Sequence, residues 1–357
     1  MMSSPCGHAP AATHVPRPSL PSLPSCPVTL SHPEGHALPA RRFSASLEFA
    51  GNVPPSPPDA LTLPETPTHY YNFAVAFLKA NRQSLDMYWA DRGAIPALIR
   101  SEMLLHPGLR ITHHETPGDF AKYVNEQCLT GAPLREQCLV ELSPMEGHCV
   151  GVDLRIDSGE PTVIAVESST LNATGSAMLL VRLAAALKQT VTCVARNGLD
   201  RHLMFFETGA QQSPIDCAMF SLCACKSIFR NADAFTLLHT RLRAGEFSEM
   251  LGKGYVASHE ADLMLPSALM QHTQSSTRLA LHAHRRIQHD PAQAQTVDRL
   301  IRRQKGLVFA RDDRTYSVSI EMARIKMAGR ALSLPTENPT LLAPPCRDDF
   351  LSSTESQ

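Results

Sequence analysis

The sequence predicts an α+β domain in which a block of hairpin-connected strands is flanked by helices on both sides. Three observations carry this expectation. Residues 68–130 have helical spacing and helix-start signals, whereas 137–166 change to an apolar period of two, interrupted by one tight turn. Ala173 to Gln189 is rich in Ala and Leu and returns to helical spacing, and helical segments continue to about Leu332. That order of elements is an α+β layered arrangement with helical additions at both ends.

Taken in order, Thr68 to Ala90 is expected as a first helix, with Tyr71, Val75, Leu78 and Leu85 on one face. Asp91-Arg92-Gly93 is expected to break it, and Pro96, at a first-turn position, starts a second helix to about Leu105. Thr116-Pro117 is an N-cap followed by an N1 proline and opens a third helix to about Leu129. Gln137–Ser143 and His148–Ile156 are expected strands, the second with Val150, Val152 and Leu154 on one face. Asp157-Ser158-Gly159 is a hairpin turn leading to a β-branched run from Thr162 to Val166. Thr190–Ala195 and His202–Phe206 are read as further strands. Helices follow at Cys217, at Ala232–Leu242 and at Phe247–Leu251. A long basic amphipathic stretch covers 277–304, and Thr315–Leu332 is read as a final helix.

A formal net charge of −1 over 357 residues excludes a global polybasic field for nucleic acid or a membrane surface. No apolar run approaches the ~18 residues of a spanning helix. The ten cysteines are scattered without a CxxC pair, and Cys223-Ala-Cys225 is too close for a bridge or a zinc clip, which favours a reducing compartment. The first 67 residues hold 15 of the 28 prolines, and Glu34, Glu48, Asp59 and Glu65 are their only acids. That composition opposes a packed core, so 1–67 is expected to be a disordered leader, and 334–357 a frayed tail. The leader has no apolar h-region, and Met2 in place of Gly leaves N-myristoylation unencoded. Its composition suits an organelle transit peptide or a type III secretion leader equally.

Chemistry concentrates around Cys217. A loop with Gln211, Gln212, Ser213 and Pro214 runs into Asp216-Cys217 and then directly into an apolar helix. A cysteine at a helix N-terminus lies at the positive end of the dipole, which favours thiolate. Such a nucleophile needs a base and a group to orient that base. His148 begins one expected strand and Glu167 ends the next, so the hairpin between them sets the two side by side. Glu167 would fix the imidazole tautomer, His148 would take the Cys217 proton, and Gln211 with the Cys217 backbone N–H would receive an oxyanion.

These residues carry a resemblance. His148-Cys-Val-Gly-Val-Asp, Val163-Ile-Ala-Val-Glu167-Ser-Ser and Gln211 through Asp216-Cys217-Ala-Met-Phe-Ser-Leu are similar to the YopJ family of bacterial type III effector acetyltransferases. The core of that family is similar to clan CE cysteine proteases of the adenovirus-protease and SUMO-protease type. Leu265-Pro-Ser-Ala-Leu-Met-Gln-His272-Thr-Gln274-Ser resembles the family's LPxxxxKHTQS segment. Lys305 with Tyr316-Ser-Val-Ser-Ile320-Glu-Met-Ala-Arg324 resembles its C-terminal regulatory block, and the likeness covers about 70–332.

The resemblance implies a clan CE-like catalytic core at 131–265, with a helical regulatory region built from 68–130 and 266–333. It also implies transfer of acetyl from acetyl-CoA through a Cys217 thioester to Ser, Thr or Lys of host signalling or defence proteins. Inositol hexakisphosphate would be the activator, and the host cell cytoplasm the destination after type III secretion. By analogy His148, Glu167 and Cys217 form the triad with Gln211 as oxyanion residue, and Gln212 and Ser213 lie near CoA. Thr273, Gln274, Arg278 and Lys305 are implied contacts to CoA or inositol phosphate. Arg278, Arg285, Arg286, Arg299, Arg302, Arg303 and Lys305 form a basic segment suited to a polyanion. Gln271 replaces the family's lysine, so acetylation at that position is not expected. Two alternatives stay open: a clan CE protease acting on ubiquitin-like conjugates, against which Ala218 replaces the usual Gly, and a non-enzymatic decoy.

Overall fold

The computed structural model describes residues 64, 66–81, 84–144, 146–247, 254–311 and 314–333. The expected disorder of the leader up to residue 63 and of the tail from 334 lies outside the described residues, as do 248–251 of the expected Phe247–Leu251 helix. Phe247 itself is in a turn.

Eleven helices and seven strands are described. In chain order they are α1 (Pro67–Ala80), α2 (Leu85–Leu105), β1 (Ile111–His114), α3 (Pro117–Thr130), β2 (Leu134–Glu141), β3 (Cys149–Asp157), β4 (Glu160–Glu167), α4 (Thr174–Thr190) and α5 (Thr192–Asn197). They continue with β5 (Leu203–Glu207), α6 (Cys217–Arg230), α7 (Ala232–Arg243), α8 (Ser258–Met264), α9 (Ser276–His289), α10 (Ala294–Lys305), β6 (Val308–Arg311), β7 (Arg314–Ser317) and α11 (Ser319–Leu332).

The first five strands form one sheet in sequential order, with β1 and β5 parallel to their neighbours and β2, β3 and β4 antiparallel. The central hairpin turns at Ser158 and Gly159, both with positive φ (53° and 77°), as the type I′ turn of a two-residue hairpin requires. Side chains on β3 and β4 alternate between two cores. Val152, Leu154, Val163 and Ala165 pack with Phe120 and Val124 of α3 and Leu179, Leu183 and Leu187 of α4. Ile164 and Val166 face the other way, with Ala224 and Ile228 of α6 and Phe235 and Leu238 of α7. The sheet is thus the middle of three layers.

A third cluster joins the first and last described helices. Tyr70 and Ala74 of α1, Ile95 and Leu98 of α2, and Ile320, Met327 and Ala328 of α11 pack with Met219 and Leu222 of α6. Flanking helices therefore bear directly on the helix that carries Cys217.

The Thr116 cap, its N1 proline and the β3–β4 hairpin agree with the expectations, and several element boundaries do not. Thr68–Ala90 is two helices: α1 ends at Asn81, which adopts φ 51°, and α2 begins after Ser84, whose hydroxyl accepts from the Asp86 N–H. Asp91-Arg92-Gly93 does not break α2, because Asp91 is buried against a cationic partner from the C-terminal end of the chain. Pro96 sits within α2, on its exposed side. Thr190–Ala195, read as a strand from its β-branched residues, leads into the short helix α5; Val191 and Val194, three apart, are the buried pair. Asp290-Pro291 divides the 277–304 stretch into α9 and α10. The β6–β7 hairpin occupies the first residues of the expected 315–332 helix, and β1 was not anticipated.

Candidate active site

The hairpin brings His148 and Glu167 together as the sequence predicts. His148 Nε2 lies 2.7 Å from Glu167 Oε2, and the second carboxylate oxygen accepts from the Ser169 N–H at 2.7 Å. Glu167 is fully buried and His148 nearly so. The His148 carbonyl accepts from Leu142 N–H at 2.8 Å, which extends β2 pairing past the end of β3 and fixes the backbone that carries the base. Gly175, near the start of α4, lies against the imidazole: a Cβ there would be 3.0 Å from His148 Cβ and 3.1 Å from Cγ.

Cys217 is the first residue of α6 and is fully buried. The first intrahelical bond of α6 runs from Phe220 N–H to Asp216 O, so the N–H groups of Cys217, Ala218 and Met219 precede it and supply the positive end of the dipole. The Cys217 thiol donates to the carbonyl oxygen of Gly147, the residue before His148, at 3.9 Å, so the nucleophile sits beside the base. Since His148 Nε2 is engaged with Glu167, Nδ1 is the nitrogen left for the sulfur. A hydrogen bond from Cys149 brings the Cys217 thiol down to about 6; burial opposes this, and the bond and charge of His148 add to it. Burial alone would lower the His148 pKa, but the Glu167 charge and the Cys217 and Glu167 hydrogen bonds raise it to about 10. Both shifts favour the thiolate–imidazolium form of the pair, which is the reactive state of a cysteine nucleophile.

The loop before Cys217 is tied down on two sides. Its start pairs with the residues after Glu167: Thr208 N–H donates to Glu167 O at 2.8 Å and Gln211 N–H to Ser168 O at 2.8 Å. The buried Gln211 side chain accepts from Ser168 Oγ at 2.7 Å and donates to Ser213 O at 2.5 Å. It lies in the expected loop, with its amide engaged there. On the other side Gln274 accepts from the N–H groups of Gln212 (2.6 Å) and Ser213 (2.8 Å) and donates to Asp216 Oδ2 at 2.7 Å. Gln212 is exposed and Ser213 is buried.

Other expected ligand residues take different places. Thr273 is buried and donates to Met270 O at 2.7 Å. Arg278 donates from Nε to Thr208 O at 2.8 Å and from Nη1 and Nη2 to Asp262 at 3.0 and 2.6 Å. Arg285 also pairs with Asp262, at 3.0 Å, and Arg286 donates to Leu263 O at 2.6 Å. These three arginines turn inward. Arg299, Arg302, Arg303 and Lys305 of α10 are exposed instead. The Gln271 carboxamide, with its oxygen toward Arg303, accepts from that guanidinium at 3.0 Å, a partnership a lysine could not make.

Sequence reasoning gave no role to the buried ions behind the nucleophile. Asp216 does not cap α6 with its side chain; it pairs with Gln274 and with Arg324 of α11. Arg324 also holds Asp91 of α2, and Tyr70 donates to Asp91 at 2.7 Å. Their long sequence separations hide this network, and no local pattern announces it.

Comparison with known proteins follows the same lines. A family model described as YopJ Serine/Threonine acetyltransferase matches residues 69–330. The serine/threonine-protein acetyltransferase YopJ of Yersinia pestis is 24% identical over 190 residues, 53% of this chain and 62% of that relative. A serine/threonine-protein acetyltransferase of Sinorhizobium fredii is 28% identical over 149 residues, 42% of this chain and 53% of the relative. The matched part thus spans under two thirds of these relatives. The fold is similar to that of AvrA delL154, solved with IP6 and CoA, with a TM-score of 0.61, 21% identity and coverage of 75% of this chain and 98% of the other. It is also similar to HopZ1a, solved in complex with IP6, with a TM-score of 0.58, 18% identity and coverage of 75% and 92%. With a family model spanning the entrance helices, the catalytic hairpin, the cysteine helix and α11 up to Arg330, the chain belongs to the YopJ serine/threonine acetyltransferase family.

Proposed function

We propose that the protein is a type III effector that transfers acetyl from acetyl-CoA to serine or threonine hydroxyls, or lysine amines, of host proteins, and so suppresses defence signalling in the host cytoplasm. The observation that carries this reading is the line of Glu167, His148 and Cys217 at the start of α6, within the residues that match the family.

The chain's own groups suit a two-step transfer. The Cys217 thiolate attacks the acetyl carbonyl, and the carbonyl oxygen takes negative charge beside the first-turn N–H groups of α6. As the thioester forms, the CoA sulfur leaves and the His148 imidazolium supplies its proton. The acceptor hydroxyl or amine then gives a proton to His148 as it attacks the thioester, and Cys217 departs as thiolate. Glu167 keeps the imidazole oriented throughout and stabilises its charged form. Gln211 orders the approach to Cys217 through Ser168 and Ser213, and exposed Gln212 is the loop residue best placed to meet CoA.

Inositol hexakisphosphate fits the exposed cations of α10 as an activator. Arg299, Arg302 and Arg303 follow at i, i+3 and i+4, and Lys305 ends the same helix. Guanidinium groups suit phosphate oxygens through bidentate hydrogen bonds. Arg278 supports the reaction from within, through Asp262 and the Thr208 carbonyl, and Thr273 and Gln274 act on the loop before Cys217. The test is transfer of labelled acetyl from acetyl-CoA, with and without inositol hexakisphosphate, by wild type, His148→Ala and Cys217→Ala. Label in an acceptor protein only with wild type and activator supports the reading. Cleavage of ubiquitin-like fusions without any acetyl transfer would establish the protease instead.

A further inference from the structure

Immediately after the base, the chain carries a second thiol that the transfer does not use. Cys149 is the first residue of β3 and is buried at 2% exposure. Along a strand, residues two apart share a face, so Cys149 points the same way as Gly151. That face lies against α6: a Cβ on Gly151 would be 2.8 Å from Ser221 O and 3.0 Å from Ala224 Cβ. Cys149 itself accepts from Ser221 Oγ at 3.7 Å. Ser221 is four residues after Cys217 and so lies one turn along the same face of α6. The Cys217 sulfur lies 3.9 Å from Gly147 O, two residues before Cys149, and the two cysteines belong to one apolar cluster in which both are free thiols.

We propose that Cys149 is a resolving thiol for Cys217, and that the two form a reversible disulfide when the nucleophile is oxidised by a peroxide. The Cys217 thiolate attacks one peroxide oxygen, the O–O bond breaks and hydroxide leaves, giving a sulfenic acid at Cys217. The Cys149 sulfur then attacks the Cys217 sulfur, the S–O bond breaks, and the Cys149 proton leaves with the hydroxyl as water. Each turn consumes one peroxide as a two-electron oxidant, and an external dithiol returns both cysteines to thiols by exchange. The absence of a side chain at Gly151 allows the strand and helix backbones to approach closely, which a short cross-link requires. The device protects as well as inhibits. A disulfide stops oxidation before the sulfinic stage, which ordinary thiols do not reverse. The proposal rests on Cys217 being a reactive thiolate, and not on acetyl transfer.

The experiment uses the full-length protein treated with a small excess of hydrogen peroxide, then blocked with iodoacetamide and digested for peptide mass spectrometry. The expected result is a linked Cys149–Cys217 peptide, lighter by two hydrogens than the sum of its parts and removed by dithiothreitol. Cys149→Ser is expected to give no linked peptide, and Cys217 in that variant passes to sulfinic and sulfonic acids that dithiothreitol does not recover. Thermal unfolding of wild type and Cys149→Ser is followed alongside, and Cys149→Ala replaces the serine variant if that one fails to fold. A wild-type digest in which Cys217 is over-oxidised without a link, or is linked to Cys223 or Cys225, overturns the proposal. Because the readout is peptide mass, it stands whether or not the protein transfers acetyl. Loss of acetyl transfer with a normal linked peptide would count against the transferase reading alone.

Discussion

Arg324 and Asp91 meet through two parallel hydrogen bonds of 2.8 Å each, Nε to Oδ1 and Nη2 to Oδ2, with both side chains buried. They join α11 to α2 across nearly the whole described chain, and Arg324 also reaches Asp216, the residue before Cys217. The guanidinium therefore ties both flanks of the domain to the position of the nucleophile. Removing one member of a buried ion network leaves the others uncompensated, at a cost of about 3–5 kcal/mol. Arg324→Met is expected to lower the free energy of unfolding by that order in a urea titration. A change below about 1 kcal/mol, the scale of an exposed pair, would mean that the network does not hold the flanks.

The Cys217–His148 pair predicts the pH dependence of nucleophile reactivity. With the Cys217 pKa lowered to about 6, the thiolate forms as pH rises through that value and persists above it. Alkylation of Cys217 by iodoacetamide should thus be near its plateau at pH 7 and should fall as pH drops below about 6. His148→Ala removes a hydrogen bond and a positive charge that favour thiolate, so the midpoint should move upward. Stopped-flow or quenched alkylation against pH measures both. The same substitution should reduce acetyl transfer about 10²–10⁴-fold, the usual range for a lost general base.

Gly151 gives a steric prediction. Its missing Cβ makes room for the Ser221 carbonyl at the contact between β3 and α6. Gly151→Ala should push α6 outward and cost about 1–3 kcal/mol, the usual range for overpacking. Because Cys217 begins that helix, alkylation and acetyl transfer should fall together, while far-ultraviolet circular dichroism stays close to wild type. Unchanged activity with unchanged unfolding would show that the contact tolerates a methyl group.

Gln274 connects the loop of Gln212 and Ser213 with Asp216 through its two amide atoms. Gln274→Glu keeps the acceptor but loses the donor and sets a second carboxylate beside Asp216. Lost buried hydrogen bonding costs about 1–3 kcal/mol. Acetyl transfer should decrease more than stability does, because the loop it orders leads straight to Cys217. Parallel measurement of kcat and the urea midpoint separates the two effects.

What the sequence made legible follows from how local each signal is. The β3–β4 hairpin rests on one turn at Ser158-Gly159 and a two-residue period, so the meeting of His148 and Glu167 could be inferred from spacing alone. Cys217 at a helix start was equally local. The role of Asp91 was not, because the pattern Asp-Arg-Gly signals a break unless a distant arginine compensates the buried charge. The partners of Arg278 were not legible either, because charge in a sequence says nothing about direction. Asp262, sixteen residues earlier, draws it inward. Thr190–Ala195 misled because β-branched residues serve a short, mostly exposed helix as well as a strand, and only Val191 and Val194, three apart, are buried there.

The central claim is that Cys217 carries the acetyl group. The most direct measurement is peptide mass spectrometry of the protein after brief exposure to acetyl-CoA and inositol hexakisphosphate, quenched in acid. The account predicts an acetyl on Cys217 that hydroxylamine removes, with no transfer to an acceptor protein by Cys217→Ala. Acetyl transfer by Cys217→Ala at the wild-type rate, with no acetyl ever found on Cys217, would contradict it.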